Sequence, residues 1–578
     1  MDSPWKGRIQ TFLLLAAVLA AVVAIAVSLR SIVPQAPTLD LQLEGRVAFL
    51  PFVNLTGDPQ YDWVEHGLME MLATSLERTP GIGIVPPQRL AKLIAERQLD
   101  PKDDGARVRI RQLAAALGGE VIVDVALRRT RTGESELPPL SGPPQAAFAF
   151  DVRIHDADGR QVVNEELRAM DPLLLADLLA FSLVRGLPSQ GEPVRIAKAL
   201  ATSPFLARLH GMGLQALRSQ GPAEARPIFE LAQGQQAFFL ETELALATCH
   251  RRLGDLAASR ELAKRVLEEA QARGERRLQV ASLAEIGHAL AIEGSLEAAT
   301  ELYGQGLAIL RILDDKSRQG ATLFELARLA RSAGNDEQAA KLFDERYALQ
   351  ASVGDVPGQI DTLVELASLS LGVDDFEGAE TSLRSAQRLA HEVDDLWLQM
   401  QVIASRGELA SQRKDADEAI ALWDEAFTFY RQQGDGPRQL LLSNKLANLH
   451  LEKRNFEQAE ELLHHTRELA VELERPAIEA AASLRLAWLL LRTGYPLQAR
   501  THVERTLELD RWIVEDRLSL QLVIAWLAYE QGNYRLAVDT QIEARRQHLE
   551  AWRPLDDAFL AVYRQALALG QRVPVPGE

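Results

Sequence analysis

Chemistry would need side chains that converge, and the sequence offers few candidates. His66 lies near Asp58, Asp62 and Glu65 at the end of an apolar run, an arrangement that could poise an imidazole for acid–base or metal work. The same acidic residues suit a helix N-terminus, and capping is the simpler account. His464 and His465 are adjacent and point about 100° apart on a helix, which fits two exposed positions better than one metal. His391, with Glu392, Asp394 and Asp395 after it, reads as a solvated charge run. Asp156-Ala157-Asp158-Gly159 imitates the start of a calcium loop but lacks a glutamate at its twelfth position, so a hairpin turn is expected. Gly81-x-Gly83 lacks the third glycine of a dinucleotide loop, and no P-loop, Gly-x-Ser-x-Gly or His-Glu-x-x-His motif occurs. Cys249, the single cysteine, reads as a small buried thiol. The chain is therefore read as a non-enzyme, with no catalytic, cofactor-binding or metal-binding residues.

Composition narrows the class further. The 578 residues carry 63 Lys and Arg against 81 Asp and Glu, a net charge of −18, opposite in sign to what a phosphate backbone attracts; nucleic acid is not an expected partner. A hydrophobic content of 47% with 25% charged residues describes an ordinary folding chain. One cysteine excludes both a disulfide framework and a cysteine-rich metal site within the chain.

The elements that position the remaining candidates begin with an apolar run, Phe12 to Leu29, whose only polar member is Ser28. As a helix it rises about 27 Å, close to a hydrocarbon core of about 30 Å. Lys6 and Arg8 before it favour a cytoplasmic N-terminus. The expectation is a cytoplasmic stub over 1–11, a transmembrane helix over 12–33 and a tether over 34–45 led by Pro34-Gln35-Ala36-Pro37. A cleaved signal peptide is the competing reading. The anchored reading places the chain in a bacterial inner membrane as a single-pass protein with its C-terminal part periplasmic.

Residues 46–169 read as a small α/β domain of order β-α-β-α-α-β-β-β. Val47 to Phe52 forms a strand; Trp63, Gly67, Leu68, Met71, Leu72 and Leu76 recur at helical spacing; Ile82 to Val85 and Val121 to Val125 are strands. Helices are expected around 90–97 and 108–117. Alternating Phe148, Phe150, Val152 and Ile154 lead into a hairpin, after a Pro/Gly/Ser-rich loop over 132–144. The residues Val47-Ala48-Phe49-Leu50-Pro51-Phe52-x-Asn54-Leu55-Thr56-Gly57-Asp58-Pro59, with Gly67-Leu68 and Leu117-Gly118, resemble the amino-terminal domain of TolB. They resemble more closely the TolB-like module of CadC-like regulators and bacterial Ser/Thr kinases. That resemblance implies an α/β module outside the membrane.

A helix and linker over 170–202, including Leu187 to Pro193, lead to a repeat. Gly254, Gly294, Gly334, Asp374, Lys414, Arg454 and Gly494 begin short turn motifs at a constant spacing of 40, and Gly532 follows at 38. Seven positions before each turn stand Ala247, Gly287, Ala327, Ala367, Gly407, Ala447, Ala487 and Ala525, with Gly213 in an earlier unit. Small residues there let two helices approach closely, so these nine are the expected repeat-packing residues. The pattern resembles a tetratricopeptide repeat array of about nine units over 203–550, capped by a helix within 551–578 (Leu555 to Leu569). The fold expected is mainly α: one transmembrane helix, a small TolB-like α/β domain and a long right-handed tetratricopeptide superhelix.

The residue after each small one, with those four before and three after, marks one face of each first helix. Asn444 and Asn448 on that face resemble the amide clamps of peptide-binding arrays of the kinesin light chain type. Trp488, Trp526 and Tyr529 would form an apolar wall beside them, unless the capping helix covers these aromatics. Arg251, Arg328 and Arg331 share the face and could draw acidic residues of a ligand. The function expected is a membrane-anchored, envelope-facing scaffold that binds a protein or peptide through the array. The alternative is a sensory accessory of a separate kinase or transcription regulator.

Overall fold

The structure, a computed structural model, describes residues 45–79, 81–130, 147–187, 204–235, 240–509, 511 and 517–576. The stub, the apolar run 12–33, most of the tether, the loop 132–144 and the linker after Leu187 lie outside the described residues. Among the described residues no helix is long and apolar enough to cross a membrane. The chain is mainly helical and forms two compact units, one of residues up to Ile94 with Leu99–Asp355, the other of Ala95–Gln98 with Val356 onward.

The first unit opens with the α/β module: β1 (Val47–Phe49), β2 (Val53–Asn54), a 3-10 turn (Pro59–Val64), α1 (Gly67–Glu77), α2 (Pro87–Glu96, whose last two residues belong to the other unit), α3 (Asp104–Ala116), β3 (Val121–Arg129), β4 (Phe148–Asp156), β5 (Gln161–Ala169) and α4 (Pro172–Gly186). β1 and β2 both pair in parallel with β3, and β3, β4 and β5 form an antiparallel meander. One sheet face packs Phe49, Phe52, Phe150 and Val152 against α1 and α4, and the other packs Ala48, Leu50 and Ile122 against α2 and α3. β3 reads as a continuous apolar run because both its faces are covered.

Three expectations are corrected here. The strand expected over Ile82 to Val85 is a single bridge, Ile84 beside Val47, since Gly83 interrupts it and Pro86 and Pro87 end it. Trp63 belongs to the 3-10 turn rather than to α1. The turn's N-cap is Asp58, which accepts from the Gln60 N–H, whereas His66 precedes α1 without a side-chain cap bond. The hairpin turn at Asp156–Gly159 forms with Gly159 at φ +82°, and Asp156 accepts from the Arg160 N–H at 2.8 Å.

The first unit continues with four helical hairpins: Pro204–Ser219 with Pro222–Gln235, Leu240–Arg252 with Leu256–Ala272, Arg276–Ile292 with Leu296–Ile312, and Lys316–Ser332 with Asp336–Ser352. The second unit holds five: Val356–Gly372 with Phe376–Glu392, Leu396–Gln412 with Ala416–Gln432, Gly436–Glu452 with Phe456–Glu472, Pro476–Arg492 with Pro496–Glu508, and Arg517–Glu530 with Tyr534–Gln547. The helix Pro554–Leu569 follows. These are stacked repeats of tetratricopeptide type.

The hairpins close in a common way. The turn between the two helices needs a left-handed residue, supplied by Gly254, Gly294, Gly334, Gly494 and Gly532, while Asp374, Lys414 and Arg454 adopt φ between 59° and 65° at the same register. Second helices then start on a capping side chain, as where Asp255, Asn335, Asp375 and Asp415 accept from the N–H three residues on. Across three hairpins the small residue is a glycine that faces an aromatic ring sixteen positions later, whereas Ala247 has Ala263 at that position. A β-carbon on Gly213 would lie 2.3 Å from the Phe229 ring, on Gly287 3.1 Å from Tyr303, and on Gly407 2.4 Å from Trp423. Ala247, Ala327, Ala447, Ala487 and Ala525 are fully buried, and Ala367 nearly so.

Candidate functional site

Two groups of residues set what each unit can do. In the first unit the array is already engaged by the α/β module. Arg46, at the start of β1, donates from Nη1 to the Leu117 and Val353 carbonyls at 3.2 and 3.1 Å, and from Nη2 to the Ile84 carbonyl and Ser317 Oγ at 3.3 and 2.6 Å. Its burial lowers its pKa. Glu77, closing α1, accepts from Arg318 at 2.6 Å and Arg277 at 3.4 Å, and Asp315 accepts from the same two arginines at 2.7 and 3.2 Å. Burial pushes the Asp315 pKa up, but Arg318, through its charge and its backbone N–H, holds it below the usual carboxylate range. Arg89 of α2 pairs with the buried Asp355, and Leu117 bridges Asp355 in sheet fashion. Gly67 and Gly211 complete the dock: a β-carbon on Gly67 would sit 2.1 Å from the Gly211 carbonyl oxygen.

Sequence reasoning missed this interface. A signal was present, because Asp315, Asp355, Asp395 and Asp435 stand forty residues apart, each just before a first helix. In the second unit Arg97 pairs with Asp395 at 2.8 Å and Arg438 with Asp435 at 2.6 Å.

The remaining candidates of the first unit prove to be partnered or structural. Arg251 and Glu285 pair at 2.7 Å, with Thr248 and Ser259 also donating to Glu285. Arg328 pairs with Glu325 at 3.0 Å and lies over the Phe324 ring; Arg331 is exposed one turn further on. Cys249 is fully buried and burial pushes its thiol up to about 11, so it is not a nucleophile at neutral pH. Burial also lowers the pKa of His66. Beneath the sheet the buried Asp124 pairs with Arg107 and has Arg111 and Arg153 each at 3.6 Å.

In the second unit the first helices line two cavities. One of about 400 Å³ has Val364, Ser368 and Leu371 on one helix, Ala404 and Glu408 on the next, and Lys445 on the third. Glu408 and Lys445 form an ion pair at its wall. The other, of about 340 Å³, lies between the last two first helices and the C-terminal helix and has Leu484, Arg485, Trp488, Val523, Trp526 and Phe559 among its walls.

The predicted binding residues divide around these cavities. Asn444 is half-buried and its Oδ1 accepts from Arg485 Nη1 at 2.9 Å; Asn448 is half-buried one turn on. Trp488 is 36% exposed, packs edge-on against Phe456 and lines the smaller cavity. Trp526 lines it too but is only 6% exposed, its ring 5.4 Å from Phe559 of the C-terminal helix. Tyr529 does not belong to a wall: it is 1% exposed, stacks on Tyr563 at 4.8 Å, and its hydroxyl exchanges hydrogen bonds with the Val573 backbone. The physical reason is the closing helix. It buries the apolar face that the last hairpin cannot bury alone, so the alternative in which the capping helix covers the aromatics holds for Trp526 and Tyr529, while Trp488 stays half-exposed.

Among the described residues no group of three or more His, Cys, Asp or Glu is placed to hold a metal ion.

No protein-family model matches the chain, and no curated protein matches it. Solved structures similar to it are helical repeat proteins. The apo form of the quorum sensor NprR from B. thuringiensis is 18% identical with TM-score 0.40, over 46% of this chain and 77% of that one. Aspartyl phosphate phosphatase F from Bacillus subtilis is 13% identical with TM-score 0.40, over 64% and 95%. The apo form of RapI is 14% identical with TM-score 0.38, over 47% and 99%.

Proposed function

We propose that this chain is a membrane-anchored, envelope-facing scaffold that binds a protein or peptide through the second unit of its repeat array. The observation that supports it is the pair of cavities along the first helices of that unit, apolar at the base with charged groups at the walls. Concave sites of about 300–1,000 Å³ of that make-up are the usual form of a binding site. The turns of the first unit carry the α/β module instead. The TolB-like resemblance and the apolar run 12–33 support the envelope placement, with the module acting as a built-in part of the scaffold.

Two measurements test the reading. Peptides selected on the purified full-length chain should lose affinity on double replacement of Asn444 and Asn448 by alanine, with an unchanged melting temperature; equal affinity would remove the clamp. Reporter fusions after Asp40 and after Glu578 test the anchor, and cytoplasmic activity of both would overturn it.

A further inference from the structure

We propose that the polar part of the α/β module's sheet, beside α3, binds a phosphate group between Arg111 and Arg153. The site lies wholly within the first unit and does not depend on the peptide-binding reading of the second.

One face of the sheet is apolar only where α2 and α3 cover it, over Ala48, Leu50 and Ile122 of β1 and β3. On β4 and β5 the same face is polar. Cross-strand pairing sets Asp124, Arg153 and Asn164 in one row across β3, β4 and β5, and Ala126, Asp151 and Glu166 in the next. From the side, Arg107 and Arg111, about one turn apart on α3, reach Asp124.

The charges on this face do not cancel. Asp124 is fully buried, and Arg107 donates to both of its oxygens, so that pair is neutral. Arg111 and Arg153 stand 3.6 Å from the same Oδ2, outside hydrogen-bond range, and Asp124 is the sole carboxylate within ion-pair distance of either among the described residues. The acids of the next row are occupied, since Asp151 and Glu166 both accept from Arg128. Two positive charges are left over, on side chains with 19% and 39% of their surface open to solvent. The ring of His155 registers the excess: burial lowers its pKa, and Arg111 lowers it further by more than Asp124 raises it, as Arg153 does against Asp156.

That excess chooses the ligand. A cation is repelled, and an apolar group would strip water from the guanidiniums without replacing its hydrogen bonds. The nitrogens of Arg111 and Arg153 are each 3.6 Å from one oxygen, hence at most 7.2 Å (twice 3.6 Å) apart. One oxyanion bridges such a span with two charge-assisted hydrogen bonds of about 2.8 Å. A carboxylate would set one negative charge against two positive ones, whereas a phosphate monoester brings about −1.5 to −2 at neutral pH. Asn164, exposed in the row beyond Arg153, offers an amide donor for a further phosphate oxygen.

The test uses the full-length chain with inorganic phosphate, phenyl phosphate and acetate as probes, by titration calorimetry at one fixed ionic strength. Both phosphates should bind and acetate should bind more weakly; the tighter of the two phosphates tells whether the site takes the free ion or an ester. Arg111→Gln and Arg153→Gln should each weaken phosphate binding by roughly 10-fold to 150-fold, the worth of a hydrogen bond to a charged group. Arg109→Gln removes the same charge from an exposed position of α3 and should leave the affinity unchanged. Asn164→Asp sets a carboxylate at an exposed position beside Arg153 and should abolish binding while the melting temperature holds, which keeps the site testable where an arginine variant fails to fold. Absence of binding by both phosphates, acetate binding as tightly as phosphate, an equal loss from Arg109→Gln and Arg111→Gln, or undiminished binding to Asn164→Asp each overturns the site.

Discussion

Replacing Gly67 by alanine isolates the contact on which the docking of the α/β module turns. Gly67 begins α1 with ordinary helical backbone, so alanine there is favoured intrinsically, by about 1 kcal/mol over glycine within a helix. The added β-carbon would stand 2.1 Å from the Gly211 carbonyl oxygen and 2.7 Å from its Cα, well inside the usual contact distance of a methyl group. Both obstacles are backbone of another helix, so no side chain can rotate away. The two helices must separate by roughly 1 Å, and Gly211 cannot retreat freely because the Trp63 ring lies against its other side, 2.7 Å from where its own β-carbon would be. Overpacking of this kind costs about 1–3 kcal/mol, so the clash wins over the helix preference. Gly304→Ala is the matched control, a mid-helix glycine with nothing within 4 Å of its β-carbon, and it should stabilise by about 0.5–1 kcal/mol. Thermal melts with hydrogen exchange over α1 and the first hairpin read both. If Gly67→Ala melts as high as Gly304→Ala, with no loss of protection along α1, the close approach of these helices is not what holds the module.

Acid should weaken the first hairpin through His210. It is fully buried beside Thr242 and Phe229, and burial lowers its pKa to about 4 from 6.5. The neutral ring is the folded form and the unfolded chain takes up the proton first. Its contribution is therefore complete above about pH 6.5 and lost as pH falls towards 4, by about 3 kcal/mol, and His210→Leu should flatten that part of the stability–pH profile. Glu285→Ala leaves Arg251 without its partner and should cost about 3–5 kcal/mol by denaturant unfolding; a loss under 1 kcal/mol would mean the pair is solvent-screened. Asp124→Asn should cost a similar amount, because Arg107 is buried opposite it, and a parent-like denaturation midpoint would contradict the pairing. Asp315→Asn should keep the helix cap through its remaining oxygen yet loosen the module, seen as faster proteolysis between α1 and α2 with the repeats intact.

The repeat was legible because its physics is local. A hairpin of fixed length needs a left-handed residue at the turn and a small residue where the helices cross, and both recur at intervals of forty, so Gly254 and Ala247 announce their structural partners. What was not legible depends on which copy of a common pattern is left uncovered. Trp488, Trp526 and Tyr529 occupy neighbouring face positions, and their residue types suit a ligand wall as well as a closed core. Only the course of Pro554–Leu569 decides that Tyr529 is core and Trp488 is half-exposed. Around His66 the capping reading holds for one helix only: the residue types could not tell that Asp58 caps the 3-10 turn while no side chain caps the helix after it.

The row of aspartates joins these two levels. A first helix that starts abruptly after a left-handed residue exposes N–H groups that a short carboxylate satisfies best, as Asp315, Asp395 and Asp435 do, while Glu275 and Arg475 at the same register make no side-chain cap bond. Capping uses one oxygen: Asp315 Oδ1 accepts from the Arg318 N–H, and Oδ2 is left to meet Arg277 and Arg318 side chains. In the second unit Asp395 divides its oxygens in the same way, Oδ1 to the Trp397 and Leu398 N–H groups and Oδ2 to Arg97. The oxygen left over from capping is thus free to take a second partner, Arg277 and Arg318 at Asp315 within the first unit and Arg97 at Asp395 within the second, and because the aspartate is already required for folding that second contact leaves no separate motif.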